Sequence, residues 1–177
     1  MDIIQLIDAR QKTRNFTSLA SQFVENPQKL EALVKIALSD MNYPYPEYAS
    51  WLLLHVAKLK ATLLEPFQTA IIDRILTCEN QSTLRNLVAS STHLTLFEYK
   101  EGEFLDRLIA FVKNNENKVA LIVYSIYKLI DFTLKYPEIK HEIVEILKIK
   151  QENGLSPALK IGIRNYTMRT KKIDSLS

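Results

Sequence analysis

The sequence has 177 residues and a net charge of +3, and 47% of its residues are hydrophobic. A chain of this length can enclose one substantial core. Its three glycines are too few for a sheet protein with many tight turns, which need backbone at positive φ. The charge is only mildly basic, whereas dedicated nucleic-acid binders concentrate far more positive charge. The composition therefore favours an all-helical protein.

The single cysteine, Cys78, excludes an intrachain disulfide and fits a reducing compartment. The first residues lack the basic and apolar regions of a signal peptide. The most apolar stretch, residues 119–127, stops at Lys128 and is shorter than the roughly 18 residues of a membrane span. We expect a soluble, cytoplasmic protein that does not contact a membrane.

Residues 2–23 predict one or two helices, with a break near residues 12–15. Beyond them, apolar residues recur at a period of 3.6 and predict eight helices. The predicted starts, in chain order, lie near Pro27, Pro46, Pro66, Ser82, Gly102, Lys118, Pro137 and Pro157. Proline suits the first helical turn, and Asn or Ser before it can cap free N–H groups. Residues 114–117 form a polar break, and Asn153-Gly154 is a helix stop.

The predicted helices form pairs that repeat along the chain. The first helices of the pairs start at intervals of 39, 36 and 35 residues, and the second helices at intervals of 36, 36 and 39. A period of this size indicates an α-solenoid, because one helix pair cannot bury its apolar face alone. We predict an all-α, right-handed solenoid of about four pairs plus N-terminal helices. The alternative is a generic helical bundle. One domain should span residues 1–172, followed by a tail at 173–177.

The repeating unit resembles HEAT and armadillo repeats. The chain is also similar to a family of small helical-repeat proteins from Bacteroidetes that is often labelled adenylosuccinate lyase. The shared stretches are residues 48–53, Leu84-Arg85, residues 123–125 and residues 156–160. The resemblance implies HEAT-like architecture and no established activity. Lyases of that name carry a mobile loop rich in Ser and Gly, whereas the nearest stretch here, residues 89–93, has no glycine.

No residue pattern predicts catalysis, a metal site or a cofactor. His141 and Glu145 lie one helical turn apart, but the second histidine that a zinc-protease helix needs is missing. The sequence has no glycine-rich phosphate loop and no nucleophile elbow. Cys78 lies beside Glu79, and we interpret it as an inert structural thiol. We expect no enzymatic activity and no cofactor.

Seven residues are candidates for binding: Trp51, His55, Arg85, Tyr124, Tyr127, Lys160 and Arg164. Second helices line the concave side of HEAT-like stacks. With an offset of 36 residues, His55, Ser91 and Tyr127 share a register, as do Leu52, Val88 and Tyr124. Trp51 is a candidate binding hot spot, and the alternative is core packing between repeats. Such a surface would suit an acidic peptide or a phosphate backbone, although local pairing of charges is an alternative.

These observations predict a non-enzymatic interaction module that binds a protein or peptide on its concave face. The first alternative is a HEAT-like nucleic-acid-binding protein that uses the basic C-terminal region, where Lys160, Arg164, Arg169, Lys171 and Lys172 follow one another without an acidic residue. The second alternative is a lyase-like enzyme.

Tyr43-Pro44-Tyr45-Pro46 is an aromatic linker that could dock a partner or simply position the next helix.

Overall fold

The computed structural model describes residues 4–5, 16–152 and 154–171, except for the side chains of residues 16–18. This part of the chain is mostly helical and contains no strand, which confirms the all-α prediction. Its helices are α1 (Phe16–Val24), α2 (Pro27–Ala37), α3 (Tyr45–Lys60), α4 (Gln68–Thr77), α5 (Gln81–Ser91), α6 (Glu101–Lys113), α7 (Val119–Lys135), α8 (Lys140–Glu152) and α9 (Pro157–Thr170). Short 3-10 turns occur at Ala61–Leu63, Glu65–Phe67 and Pro137–Ile139.

Capping residues set several of the helix starts. The Asn26 side chain accepts a hydrogen bond from the Lys29 N–H at 3.0 Å, and α2 begins at the proline that follows Asn26. Ser156 caps α9 in the same way, through the N–H of Leu159. These caps satisfy N–H groups that have no partner within the helix. The predicted starts near Pro27 and Pro157 are therefore confirmed.

Two other prolines lie just outside the helices that they were predicted to begin. Pro66 and Pro137 each lie in a 3-10 turn, and α4 and α8 start two or three residues later. The polar break at residues 114–117 separates α6 from α7 as predicted. Gly154 follows the end of α8 with φ of +83°, a left-handed conformation that favours glycine. The predicted break near residues 12–15 lies outside the described residues.

The chain divides into two compact units, residues 1–95 and 96–177. In the first unit, α2 packs on α3 and α4 packs on α5, while α3 also lies against α1 and α5. In the second unit, α7 packs on both α6 and α9, and α6 also contacts α8. Each unit therefore contains paired helices with a helix-to-helix contact from one pair to the next. The single domain at residues 1–172 and the tail at 173–177 stay predictions.

Polar contacts between successive pairs follow the predicted repeat. The Asn86 amide on α5 donates to the Ser50 hydroxyl on α3 at 3.1 Å. On the first helices, Arg74 of α4 binds Asp40, which follows α2, at 2.6 Å. In the second unit, the hydroxyls of Thr133 on α7 and Tyr166 on α9 are 2.8 Å apart. The members of these pairs are 36, 34 and 33 residues apart in the chain. Corresponding helices of neighbouring pairs are thus joined at the repeat interval.

Apolar side chains fill the space between these helices. In α2 the apolar residues that recur at helical spacing are all buried, and they are Leu30, Leu33, Val34 and Ala37. In the second unit, the rings of Phe104 and Phe132 pack edge to face with centroids 5.7 Å apart. Residues 121–123 of α7 are all buried, as expected of a helix with neighbours on more than one side. Among the described residues, no helix is both long and apolar enough to cross a membrane.

Gly162 faces α7 where α9 packs on it, and substitutions there test that contact. A Cβ at this position would lie 3.5 Å from Val123 Cγ1, an ordinary packing distance. We expect Gly162→Ala to be neutral or to stabilise the protein by up to about 1 kcal/mol, because alanine favours helix over glycine. Gly162→Leu should lower the free energy of unfolding by about 3 kcal/mol, because its outer carbons would overlap Val123 and Ile126.

Urea denaturation followed by circular dichroism measures both effects. Ala158→Leu is the matched control, since Ala158 is exposed on the same helix. Equal stability of Gly162→Leu and Ala158→Leu would contradict the close packing of α7 against α9.

Candidate functional site

The candidate site lies in the first unit, where the N-terminal ends of α3 and α5 meet. Asn80 caps α5, because its side-chain oxygen accepts from the N–H groups of Ser82 and Thr83, both at 3.0 Å. The Asn80 amide nitrogen donates to Glu47 Oε1 in the first turns of α3, at 2.8 Å. One asparagine side chain therefore both starts a helix and holds the carboxylate of the neighbouring repeat.

A second asparagine fixes the other half of the site. Asn86 is buried on α5, and its amide nitrogen donates to the Glu47 carbonyl and the Ser50 hydroxyl, both at 3.1 Å. Its side-chain oxygen accepts from the Arg85 guanidinium, at 3.2 Å from Nε and 3.0 Å from Nη2. The contact that joins α5 to α3 therefore also orients Arg85.

A cavity of about 420 Å³ opens between these two helices. It is lined by Tyr43, Glu47, Tyr48, Trp51, Asn80, Ser82, Arg85 and Asn86. Trp51 and Arg85 are half-buried, and Tyr43 is 74% exposed. The rings of Tyr43 and Tyr48 are 6.4 Å apart at their centroids. Their hydrogen bond raises the pKa of the Tyr43 hydroxyl, and the nearby Glu47 charge adds slightly to that rise. The cavity is thus aromatic, with a few polar groups.

Two opposite charges line this cavity without an ionic partner among the described residues. Glu47 binds the neutral Asn80 amide through Oε1, and its Oε2 is shielded from solvent and accepts no hydrogen bond. Arg85 binds only the neutral side chain of Asn86. A carboxylate and a guanidinium left unpaired in a partly buried position are suited to charged groups of a ligand.

The structure brings three of the sequence-predicted residues together. Trp51 and Arg85 line the same cavity, and the His55 ring packs on Trp51 with centroids 4.1 Å apart. Trp51 is half-buried at the cavity, and its role as a binding hot spot or as packing between repeats stays a prediction. The remaining four residues lie in the second unit.

In the second unit, Tyr124 and Tyr127 of α7 pack edge to face at 6.2 Å. The Tyr127 hydroxyl accepts from the Asn165 amide of α9 at 3.3 Å. Lys160 and Arg164 are exposed one turn apart on α9. The predicted register of Tyr124 and Tyr127 with residues of the first unit stays a prediction.

A cavity of about 910 Å³ lies between α8 and α9 in the second unit. It includes His141 and Glu145, which the sequence places one helical turn apart. Glu145 there pairs with Lys148 at 2.6 Å, and Lys140 donates to the Thr170 carbonyl at 3.0 Å. No group of three or more potential metal-binding side chains occurs among the residues that the structure describes. The charges of this cavity are largely engaged, in contrast to those of the α3–α5 cavity.

Glu47, Tyr48 and Asn80 are residues of the site that the sequence prediction did not single out. Glu47 follows the Tyr43–Pro46 linker directly, and Tyr43 of that linker also lines the cavity, while docking of a partner at the linker stays a prediction. Asn80 lies 33 residues from Glu47, and only the helix packing brings the two together. An Asn placed one residue before a helix start is a capping signal and could have drawn attention to Asn80.

Lys128 of α7 carries a buried charge, and it offers a test of the electrostatics. It is 1% exposed and pairs with Asp131 at 3.1 Å. Burial lowers the pKa of Lys128, and the Asp131 charge only partly offsets this. We expect Lys128→Met to leave the free energy of unfolding at pH 7 unchanged or to raise it by about 1 kcal/mol, because the apolar chain fits without a buried charge.

The difference in free energy of unfolding between Lys128→Met and the wild type should decrease as pH rises. Between the lowered pKa of Lys128 and 10.5, the unfolded protein binds more protons than the folded protein, so the wild type gains stability as pH rises. Because Lys128→Met has no titrating group at this position, it does not gain this stability. Its stability relative to the wild type should therefore decrease toward pH 10.5. Urea denaturation at several pH values measures this, with the exposed Lys113→Met as control. An advantage that grows with pH would contradict the assignment.

Comparison with known proteins places these observations in a family. A family model described as HEAT repeat domain matches residues 4–170. No match was found among curated proteins or among solved structures. The likeness to a Bacteroidetes family labelled adenylosuccinate lyase receives no support from these comparisons. The match to the HEAT model covers almost the entire chain and agrees with the paired helices of both units.

Proposed function

The chain belongs to the HEAT repeat domain family, and on that premise we propose that it is a non-enzymatic interaction module that binds a peptide segment of a partner protein. The proposed binding site is the α3–α5 cavity. Helical repeats present continuous surfaces made of neighbouring units, and these surfaces suit extended partners. The predicted concave face would then include, in the first unit, the side of α3 and α5 that carries Trp51 and Arg85.

The observation that carries this proposal is the aromatic and charged lining of the α3–α5 cavity. Trp, Tyr and Arg dominate the binding energy of protein interfaces when they line well-packed pockets. Here Trp51, Tyr48 and Arg85 line one cavity, and hydrogen bonds of Asn86 hold the helices that carry them. The site is therefore largely formed before a partner arrives, which lowers the entropic cost of binding.

Nucleic acid is a second candidate partner, supported by the exposed Lys160 and Arg164 on α9. Phosphate contacts of such residues would make binding weaken steeply with salt. The first unit favours peptide over nucleic acid, because the α3–α5 cavity contains a carboxylate, Glu47, which repels phosphate. A salt-dependent shift with duplex DNA that is lost in the variant Lys160→Gln/Arg164→Gln would support the nucleic-acid alternative.

We expect Trp51→Ala and Arg85→Ala each to weaken peptide binding by about 10-fold or more, as truncation of interface hot spots does. Binders are first selected from a displayed library of random peptides, and their affinities for each variant are then measured by calorimetry. Ile149→Ala and Arg169→Ala are matched controls, since both residues are exposed in the second unit. Circular dichroism establishes that each variant is folded.

Wild-type affinity in both Trp51→Ala and Arg85→Ala would exclude the α3–α5 cavity as the binding site. Equal losses in the control variants would point to the second unit instead. Selection of no peptide at all would contradict the proposed function.

A further inference from the structure

Glu47 and Arg85 line the same aromatic cavity with opposite charges, yet they do not form an ion pair with each other. An acid and a base that share one cavity usually gain from pairing, unless their positions are held by other bonds. Here those bonds are present. Asn80 holds the carboxylate, and Asn86 holds the guanidinium. Both charges therefore stay available, and each lies at its own place in the cavity.

We propose that this cavity recognises a peptide segment that carries one basic and one acidic side chain close together. The proposal rests on the proposed function and adds the chemistry of the partner. The basic head group would bind Glu47, and the acidic group would bind Arg85. A single charge of either sign would satisfy only one of the two fixed groups and would be repelled by the other.

The carboxylate of Glu47 has unused capacity for a cation. Its Oε1 accepts one hydrogen bond, from a neutral amide, and its Oε2 accepts none from the described residues. A buried acceptor without a donor destabilises the protein relative to the paired state. Oε1 has a second lone pair for an ammonium or guanidinium head, which would bring the opposite charge to a carboxylate whose other oxygen is shielded from solvent.

The aromatic lining fits the stem and the head of a basic side chain. Tyr48 and Trp51 lie one helical turn apart on α3, beside Glu47, and Tyr43 packs near Tyr48. Apolar ring surface accommodates the methylene stem of a lysine or arginine, and ring faces attract the cationic head. The two asparagines and Ser82 complete the rim with neutral polar groups.

Arg85 is the group in the cavity that would bind the acidic side chain of the peptide. The two nitrogens that bind Asn86 are Nε and Nη2, so Nη1 makes no hydrogen bond to a described residue. A guanidinium forms its strongest hydrogen bonds with carboxylates. An acidic side chain of the same peptide segment would occupy this donor. The sequence alone suggested an acidic peptide as the partner. The position of Glu47 in the cavity adds that the peptide should also carry a basic side chain.

The test uses a set of acetylated and amidated eight-residue peptides based on Ala and Gly. Each peptide carries one lysine and one glutamate, with one to four residues between them and in both orders. Binding is followed by NMR through the indole N–H of Trp51, which is the only tryptophan of the chain and so gives a single reporter signal at the cavity. The best-binding peptide is then remade with Lys replaced by norleucine or with Glu replaced by Gln.

We expect each replacement to weaken binding to the wild-type protein by about 5-fold or more, as loss of a charge-assisted contact does. In the variant Glu47→Gln, replacing the peptide lysine by norleucine should change the affinity by less than about 2-fold. In the variant Arg85→Gln, replacing the peptide glutamate by glutamine should likewise change the affinity by less than about 2-fold. The reason is that each protein variant lacks the charged group that binds the replaced peptide charge. Glutamine at position 47 can still accept from Asn80, so Glu47→Gln preserves the contact between the helices.

Glu31→Gln and Lys35→Gln are the matched controls. These residues form an exposed ion pair on α2, and their variants make the same charge changes away from the cavity. Both controls should keep the full sensitivity to peptide charge. Binding of no peptide, equal affinity for the uncharged peptides, or unchanged charge sensitivity in Glu47→Gln and Arg85→Gln would each overturn the proposal. If peptides from the displayed library still required Trp51, the proposed function would stand without this inference.

Discussion

The contact between second helices of neighbouring pairs is the interaction on which each unit depends. In the first unit α3 packs on α5, and in the second unit α7 packs on α9. A lone helix pair leaves one apolar side uncovered, and the neighbouring pair covers it. Buried polar groups such as Asn86 and Tyr166 bond across these contacts to groups on the neighbouring pair, Ser50 and Thr133.

The candidate site is a direct product of this packing. Asn86 joins α5 to α3 and at the same time orients Arg85, while Asn80 begins α5 and at the same time holds Glu47. The side chains that are open to a partner are therefore positioned by the groups that hold the repeats together. We expect binding and stability to be linked at this site, because a change at either asparagine would disturb both.

Much of the fold could be predicted from the sequence, because its signals are local. Asn26-Pro27 and Ser156-Pro157 mark helix starts through capping and a fixed φ, and those starts are confirmed. Trp51 and Arg85 could be named because their residue types stand out among apolar neighbours. Glu47 and Asn80 could not be named together, because their contact spans 33 residues and depends on helix packing.

A double-mutant cycle between Ser50 and Asn86 tests most directly whether neighbouring pairs hold each other. The free energy of unfolding is measured by urea denaturation for the wild type, Ser50→Ala, Asn86→Ala and the double variant. Because the two side chains share a buried hydrogen bond of 3.1 Å, the account predicts a coupling energy of about 1 kcal/mol. Strictly additive losses would contradict it, and would mean that α3 and α5 are stabilised independently of the contact between them.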